Sequence, residues 1–299
     1  LSSGSGYDIG GHGRRALALE GATVSGLISL TPQQFTLFQK FIYRQTGIWT
    51  QDGKIALLSN RIRRRLRERN LESFDDYYGL LTGGSIPGEL EAFIDAITTN
   101  ETHFFRMAAH FDWFAGPFLD ELIARASAGK RERTLRVWSA ACSTGEEPYT
   151  LAICLAEQAS RLGDWTLELV GTDICESALA TARTATYRPR SLEHVSADRL
   201  SKHFIAAPGG DTWTVRPTVT RLCQFHRHNL LEPMPGRKFD CIFIRNVLIY
   251  FDSGSKAIAL GHLVDALQPG GYLVVGTTDG AHDHLEGVER CSTFLYKKP

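Results

Sequence analysis

The sequence predicts an open, doubly wound α/β sheet preceded by a small all-helical unit. Three observations carry this. From about residue 131 onward, short runs rich in apolar and β-branched residues alternate with helical patterns, which argues for a parallel sheet with helices on both faces. Within that part, Lys238-Phe239-Asp240-Cys241-Ile242-Phe243-Ile244 is nearly continuously apolar, as a strand covered on both faces requires. Residues 30–98, by contrast, show helical spacing and short connections only. The length of 299 residues accommodates both parts.

Taken in order, residues 1–26 are rich in Gly and Ser, carry no periodic pattern, and are expected to be a disordered tail or a cloning remnant. Thr31 suits an N-cap and Pro32 the first helical position. Phe35, Phe38, Phe41 and Ile42 follow at helical spacing, and Gly47 ends that helix. A second helix is expected from Asp52-Gly53 to about Asn70, with Ile55, Leu58, Ile62 and Leu66 on one stripe. Its other faces carry Lys54, Arg61, Arg63, Arg64, Arg65, Arg67 and Arg69 against one acid, Glu68. A charge run is ordinarily a solvated face. Cations at this density exceed what solubility needs, so the helix is expected to dock an acidic partner. It lacks the interleaved aromatics on which single-stranded nucleic acid stacks, and no nucleic-acid partner is expected. Helices over Ser73 to Leu81 and Glu89 to Ile97 complete the unit at 30–98.

Residues 99–130 read as an interdomain linker and helix, the latter holding Phe111, Trp113, Phe114, Phe118, Leu119 and Leu122. The polar stretch Thr98-Thr99-Asn100-Glu101-Thr102-His103-Phe104-Phe105-Arg106 stands at the junction. It suits either a capped linker or the rim of a ligand pocket, since pockets favour domain interfaces.

The remaining part, 131–299, is organised around Val137-Trp138-Ser139-Ala140-Ala141-Cys142-Ser143-Thr144-Gly145-Glu146-Glu147-Pro148-Tyr149. A strand feeds a helix through a small-residue turn, which gathers backbone N–H groups where nucleotide-like ligands bind. The turn lacks G-x-G-x-x-G and carries two carboxylates. Glu146 and Glu147 would repel a pyrophosphate but could hold the ammonium of an amino acid, which points away from NAD and toward S-adenosylmethionine (SAM). The bland alternative is a plain β–α turn whose acids favour the helix dipole. The next strand, Thr166 to Thr172, ends at Asp173, a carboxylate placed to accept ribose hydroxyls or to cap the following helix.

Residues 184–222 do not alternate simply. Ser196 to Phe204 reads as a helix, and 205–222 as an insertion forming a small hairpin on the sheet's edge. Gln224 to His228 is a strand leading to Asn229-Leu230. After Ile244 comes Arg245-Asn246-Val247-Leu248-Ile249-Tyr250-Phe251. Ser253 is expected to cap a helix running to about Leu267. Pro269-Gly270-Gly271 and a last strand, Cys291 to Tyr296, suggest an antiparallel hairpin at the sheet's end.

The composition bounds the function. Net charge is zero, so no global field recruits nucleic acid or a membrane. Six scattered cysteines, none in C-x-x-C, read as reduced thiols of a cytoplasmic protein. No apolar run approaches a membrane span, so no membrane insertion is expected. The pairs His226/His228 and His282/His284 lack a third ligand at metal spacing, so no metal site is expected.

The segment Thr98 to Arg106, the A-C-S-T-G-E-E-P-Y turn, Gly171-Thr172-Asp173-Ile174, Asn229-Leu230, Arg245 to Phe251 and Pro269-Gly270-Gly271 occur in one order. Together they resemble the CheR-type chemotaxis receptor methyltransferases of bacteria, over about residues 30–298. The resemblance implies a SAM-dependent methyltransferase (Rossmann-like) sheet and an enzyme that forms glutamate γ-methyl esters on the cytoplasmic helical domain of chemoreceptors, leaving S-adenosylhomocysteine (SAH). It implies a cofactor cleft lined by Asn100, Thr102, Arg106, Glu146, Glu147, Asp173, Asn229, Leu230, Asn246 and Val247. Arg106 would guide the acceptor carboxylate and Tyr250 would shape the methyl's path. The basic helix, through Arg61, Arg64 and Arg65, would lie on the acidic receptor bundle. The insertion at 205–222 occupies the place where some members bind a receptor's C-terminal peptide. Three rivals stay open: a nucleic-acid methyltransferase gripping phosphates with the Arg-rich helix, a non-catalytic SAM sensor, and a dehydrogenase. The first lacks a base-flipping element, and the acid-bearing turn argues against the last.

Overall fold

Thr31 and Gln34 cap the first helix reciprocally: Thr31 Oγ1 accepts from the Gln34 N–H at 3.2 Å, and Gln34 Oε1 from the Thr31 N–H at 2.9 Å. The computed structural model describes residues 28–299; the expectation for residues 1–26 falls outside them. Helix α1 (Pro32–Thr46) ends at Gly47, whose left-handed φ of 74° closes the turn. It packs with α2 (Ile55–Arg69), α3 (Phe74–Gly83) and α4 (Glu89–Ile97) around Phe35, Phe38, Ile62, Tyr77 and Phe93. Inside this bundle Glu89 accepts from Arg65 (2.7–3.0 Å) and from the Tyr77 hydroxyl (2.7 Å), tying three helices through one buried carboxylate.

Helices α5 (Ala108–Trp113) and α6 (Leu119–Ser127) follow, joined by a π-helical turn over Phe114–Phe118. Pro117, which lacks an N–H and crowds the preceding turn, sits inside it. The rest alternates: β1 (Thr134–Ala140), α7 (Glu146–Glu157), α8 (Ala159–Leu162), β2 (Thr166–Asp173), α9 (Glu176–Thr184), β3 (Thr186–Tyr187), α10 (Ala197–His203), β4 (Phe204–Ala206), β5 (Trp213–Val215), α11 (Pro217–Thr220), β6 (Cys223–Arg227), β7 (Phe239–Ile244), α12 (Ser253–Ala266), β8 (Leu267–Val275), β9 (Glu289–Arg290) and β10 (Leu295–Lys297). The main sheet runs β6-β2-β1-β7-β8-β10-β9. Its first five strands are parallel and the last two antiparallel. All six residues of β7 are buried, because helices and loops cover both faces of the sheet.

Several local expectations change. Asp252, not Ser253, caps α12, accepting from the Ser255 N–H at 2.8 Å. The Pro-Gly-Gly triplet lies inside β8 rather than forming the turn of the end hairpin; β8 pairs with β10 across a longer connection. The insertion at 205–222 is part of a separate three-stranded sheet, β3-β5-β4, that begins at Thr186. A two-residue strand is too short for alternation to reveal, and its pairing to Trp213–Thr214 is long-range.

Candidate functional site

The chain leaves β1 to build β2 and β6 on one side, then returns to place β7 on the other. At such a reversal the connections diverge and open a crevice beyond the C-terminal strand ends. The cleft here is lined by Ala141, Cys142 and Ser143 after β1, Asp173 and Ile174 at the end of β2, His228, Asn229 and Leu230 after β6, and Arg245, Asn246 and Val247 after β7. Asn100, Thr102 and Arg106 form another wall. Ile48, Trp49, Lys54, Leu57 and Arg61 of the helical bundle, with Tyr250, form the mouth.

Glu147, in the first turn of α7, stands at the floor. Ser139 Oγ donates to it at 2.7 Å, and Arg245 Nε lies 3.3 Å from its other oxygen. Burial pushes the Glu147 carboxyl up; the Arg245 guanidinium, the Ser139 hydroxyl and Arg106 pull it back. Arg245 is itself buried, so its pKa is lowered, and Glu147 opposes that. Arg245 Nη2 donates to the Arg106 carbonyl at 2.6 Å, fixing the backbone of Arg106 at the cleft wall. Arg106 sits between two non-glycine residues in the left-handed region, Phe105 (φ 55°) and Met107 (φ 63°), conformations that cost energy and persist where surroundings impose them. Here Thr150 Oγ1 accepts the Phe105 N–H at 3.1 Å, and Ser191 O accepts the Phe104 N–H at 3.0 Å.

Asp173 accepts the Ser143 and Cys175 N–H groups, at 2.8 and 2.9 Å, one on each oxygen. Burial raises its pKa and those N–H groups oppose the rise. Each oxygen keeps a lone pair. Asn229 spends its amide structurally: Nδ2 donates to Gln45 O at 3.0 Å and Oδ1 accepts the Leu231 N–H at 3.1 Å. Asn100 Nδ2 points to Cys175 Sγ at 3.2 Å.

Nine of the ten residues expected at the cofactor line this one cleft, and so does Tyr250. Glu146 does not. It turns to Thr144 Oγ1 (2.6 Å) and Ser191 Oγ (3.1 Å), buried away from the opening. Consecutive helical residues point about 100° apart, which sends the two adjacent acids to different surroundings here. The docking set also divides. Arg61 is a cleft-wall residue, donating to Ile97 O and to Thr99 Oγ1 (2.7 Å). Arg65 is buried on Glu89. Arg64 alone faces outward, with 76% of its side chain exposed and Glu68 at 3.1 Å. Sequence reasoning gave no role to Arg245 or His228. A cation closing a nearly continuous apolar strand was the available signal for the first; the second was marked only as half of the His226/His228 pair.

SAM fits this lining. Buried polar atoms without hydrogen-bond partners among the described residues, Ser143 Oγ, His228 Nε2 and Arg245 Nη1, belong to residues of the cleft. They stand beside apolar Ile174, Leu230 and Val247, with a carboxylate floor at Glu147, which suits a ligand that is zwitterionic at one end and flat and apolar at the other.

The family model described as the CheR methyltransferase SAM binding domain matches residues 100–294, and the CheR methyltransferase all-alpha domain matches residues 33–98. The "Chemotaxis protein methyltransferase" of Salmonella typhimurium is 37% identical over 258 residues, covering 84% of this chain and 85% of that protein. That of Escherichia coli is 36% identical over 265 residues, covering 87% and 88%. "Chemotaxis protein methyltransferase 1" of Pseudomonas aeruginosa is 33% identical over 278 residues, covering 90% and 99%. Both the helical and the sheet-bearing part are thus matched in order, about a cleft whose chemistry suits the same donor: the chain belongs to the CheR methyltransferase family and is a SAM-dependent methyltransferase.

Proposed function

We propose that this enzyme methylates glutamate carboxylates on the cytoplasmic helical domain of chemoreceptors, forming γ-methyl esters and leaving SAH, and that it works in the cytoplasm. The observation that carries this is the meeting of Arg106, Tyr250 and the Glu147–Arg245 pair in one cleft whose lining also includes Lys54 and, from α2, Arg61. Among the described residues no helix is long and apolar enough to cross a membrane.

Bound in the cleft, SAM supplies an electrophilic methyl group. Glu147 would hold the ammonium of its methionine end, with Asn100, Thr102 and Arg106 along the same wall. Asp173 would accept the ribose hydroxyls through its spare lone pairs. Asn229 and Leu230 would flank the adenine, Asn229 through its backbone because its amide is committed. Asn246 and Val247 would line the sulfur side.

The acceptor carboxylate is ionised at pH 7, so no general base is required. What the chain contributes is placement and exclusion of water. Arg106 donates one side-chain hydrogen bond to protein, from Nη1 to Glu101 O at 3.1 Å, which leaves its other donors for the acceptor among the described residues. Its role is to orient, since a tight grip would blunt the nucleophile. Tyr250, held through its carbonyl by the Trp49 N–H at 2.8 Å, walls the approach. The exposed cations Lys54, Arg64 and Arg67 would face the acidic bundle.

The test is incubation with methyl-labelled SAM and either a receptor helical fragment or RNA. Label on the fragment that is released by mild alkali is the expected result, because esters hydrolyse there. Alkali-stable label, label on RNA, or no transfer by folded protein would sink the reading.

A further inference from the structure

Asp279 is fully buried just after β8, outside the cleft lining, and no role has been given to it so far. Its Oδ2 accepts the Asn246 N–H at 2.7 Å, while Oδ1 has no hydrogen-bond partner among the described residues. Asn246 is left-handed (φ 58°) and lines the cleft directly after Arg245. That conformation is strained for most L-residues, less so for Asn, and it persists where the surroundings hold it. The backbone around the carboxylate is cut to fit: a Cβ on Gly276 would collide with Asp279 Oδ2. Burial raises the Asp279 pKa, opposed by the N–H groups of Asn246, Gly276, Ile249 and Leu248. So one carboxylate holds the Asn246 N–H, where the turn that runs to Tyr250 begins.

We infer that Asp279 is a positioning residue: it clamps the left-handed Asn246 and the turn after it, and so sets where Asn246, Val247 and Tyr250 stand in the cleft. The inference rests on reading this cleft as the methyl-transfer site. Asp279 touches neither donor nor acceptor and acts through the turn. The oxygen that meets the Asn246 N–H must be an acceptor, and its charge strengthens that bond. Asn in its place keeps the shape but removes the charge, and in one of its two amide orientations turns an NH₂ group toward the Asn246 N–H.

The experiment compares Asp279→Asn and Asp279→Ala with a core control, Leu135→Val. Leu135 is buried at the far end of β1 from the cleft. Three quantities are read: melting temperature, amide hydrogen exchange over residues 246–250 without ligand, and SAH affinity by calorimetry, with kcat and KM for a receptor fragment beside them. Asp279→Asn is expected to speed exchange in 246–250 and weaken SAH binding, each by about tenfold, as an unmet buried donor implies. It should lower kcat by up to about a hundredfold with little change in the fragment's KM. Leu135→Val should lose melting temperature and leave all the others at wild-type values. Wild-type exchange over 246–250 in Asp279→Asn, or an SAH loss no larger than that of Leu135→Val, would overturn the inference. If Asp279→Ala does not fold, Asp279→Asn decides alone. Exchange is read without ligand, so it judges the clamp even where wild-type protein gives no heat with SAH, a result that would instead remove the reading of the cleft.

Discussion

Arg64 and Arg65 are neighbours on α2 with the same charge and opposite duties. Arg65 neutralises the buried Glu89, so Arg65→Ala leaves that carboxylate with Arg69 and Tyr77 alone; the expected loss is about 3 kcal/mol, read from chemical denaturation. Arg64→Ala removes an exposed ion pair and should stay within about 0.5 kcal/mol of wild type. In the receptor assay the order is expected to reverse: Arg64→Ala, combined with Arg67→Ala, should raise KM for the receptor fragment and leave kcat alone. An unmoved KM would remove α2 from docking. The same cluster has a pH signature. Burial alone would raise the Glu89 pKa, but hydrogen bonds from Arg65, Tyr77 and Arg69 hold it below its ordinary value of 4.5. A depressed carboxylate stabilises above its unfolded pKa and loses that contribution as pH falls through the folded one. The stability gap between wild type and Glu89→Gln should therefore be widest near neutrality and close below about pH 4.5. Counting cations on the helix could not separate these residues. Their difference lies in a partner 24 residues away in sequence and on another helix. The spacing offered a hint, since Arg61 and Arg65 each directly precede a residue of the apolar stripe, Ile62 or Leu66.

The turn between β1 and α7 shows how an element imposes its own chemistry. Gly145 is left-handed (φ 93°), and an added Cβ would stand 2.7 Å from Ala182 Cβ on α9. Gly84 is also left-handed (φ 60°) but has open space around it. Gly84→Ala should cost about 1–2 kcal/mol from conformation alone. Gly145→Ala should cost about 1–3 kcal/mol more, from the clash, and should weaken SAH binding because the start of α7 carries Glu147. Equal losses in thermal melts of the two variants would refute the packing argument. That a strand meets a helix here was legible from the break in apolar pattern. That only the second acid faces the cleft was not, because the phase of the helix is fixed by its packing: Leu151, Ile153 and Leu155 are all buried, so the apolar pattern does not single out one face. The three-stranded insertion was legible as an interruption but not as a sheet, since its shortest strand has two residues.

At the scale of the whole molecule, buried histidines should make the fold acid-sensitive. His110 stacks on Phe294 at 4.2 Å, and burial, aided by Arg245, lowers its pKa from 6.5 to about 4. Such a group stabilises when neutral, so its contribution is intact above pH 6.5 and drains away as pH falls toward 4. His103, His203 and His228 shift in the same sense. His110→Leu should flatten the fall in stability between pH 6.5 and 4 relative to wild type; parallel curves would show that His110 takes no part. The fold class, with its parallel strands and closing antiparallel edge, was readable because alternation of strand and helix is local. The way the two parts meet was not readable, because it consists of single long-range contacts. Asp95 on α4 accepts both the Glu176 and Ser177 N–H groups at 2.9 Å, capping α9 from another part of the chain. Gln45 O accepts from the Asn229 amide, and the Trp49 N–H donates to Tyr250 O. These bonds have a practical corollary for anyone rewiring substrate choice. A chimaera that imports a foreign bundle in place of residues 32–97 loses a helix cap, a prop beneath Asn229 and a strut on Tyr250 in one stroke. Grafts that keep the backbone path over residues 45–49 and carry Asp95 along with the new helices should retain donor affinity, and grafts that lose them should forfeit it before any acceptor is offered.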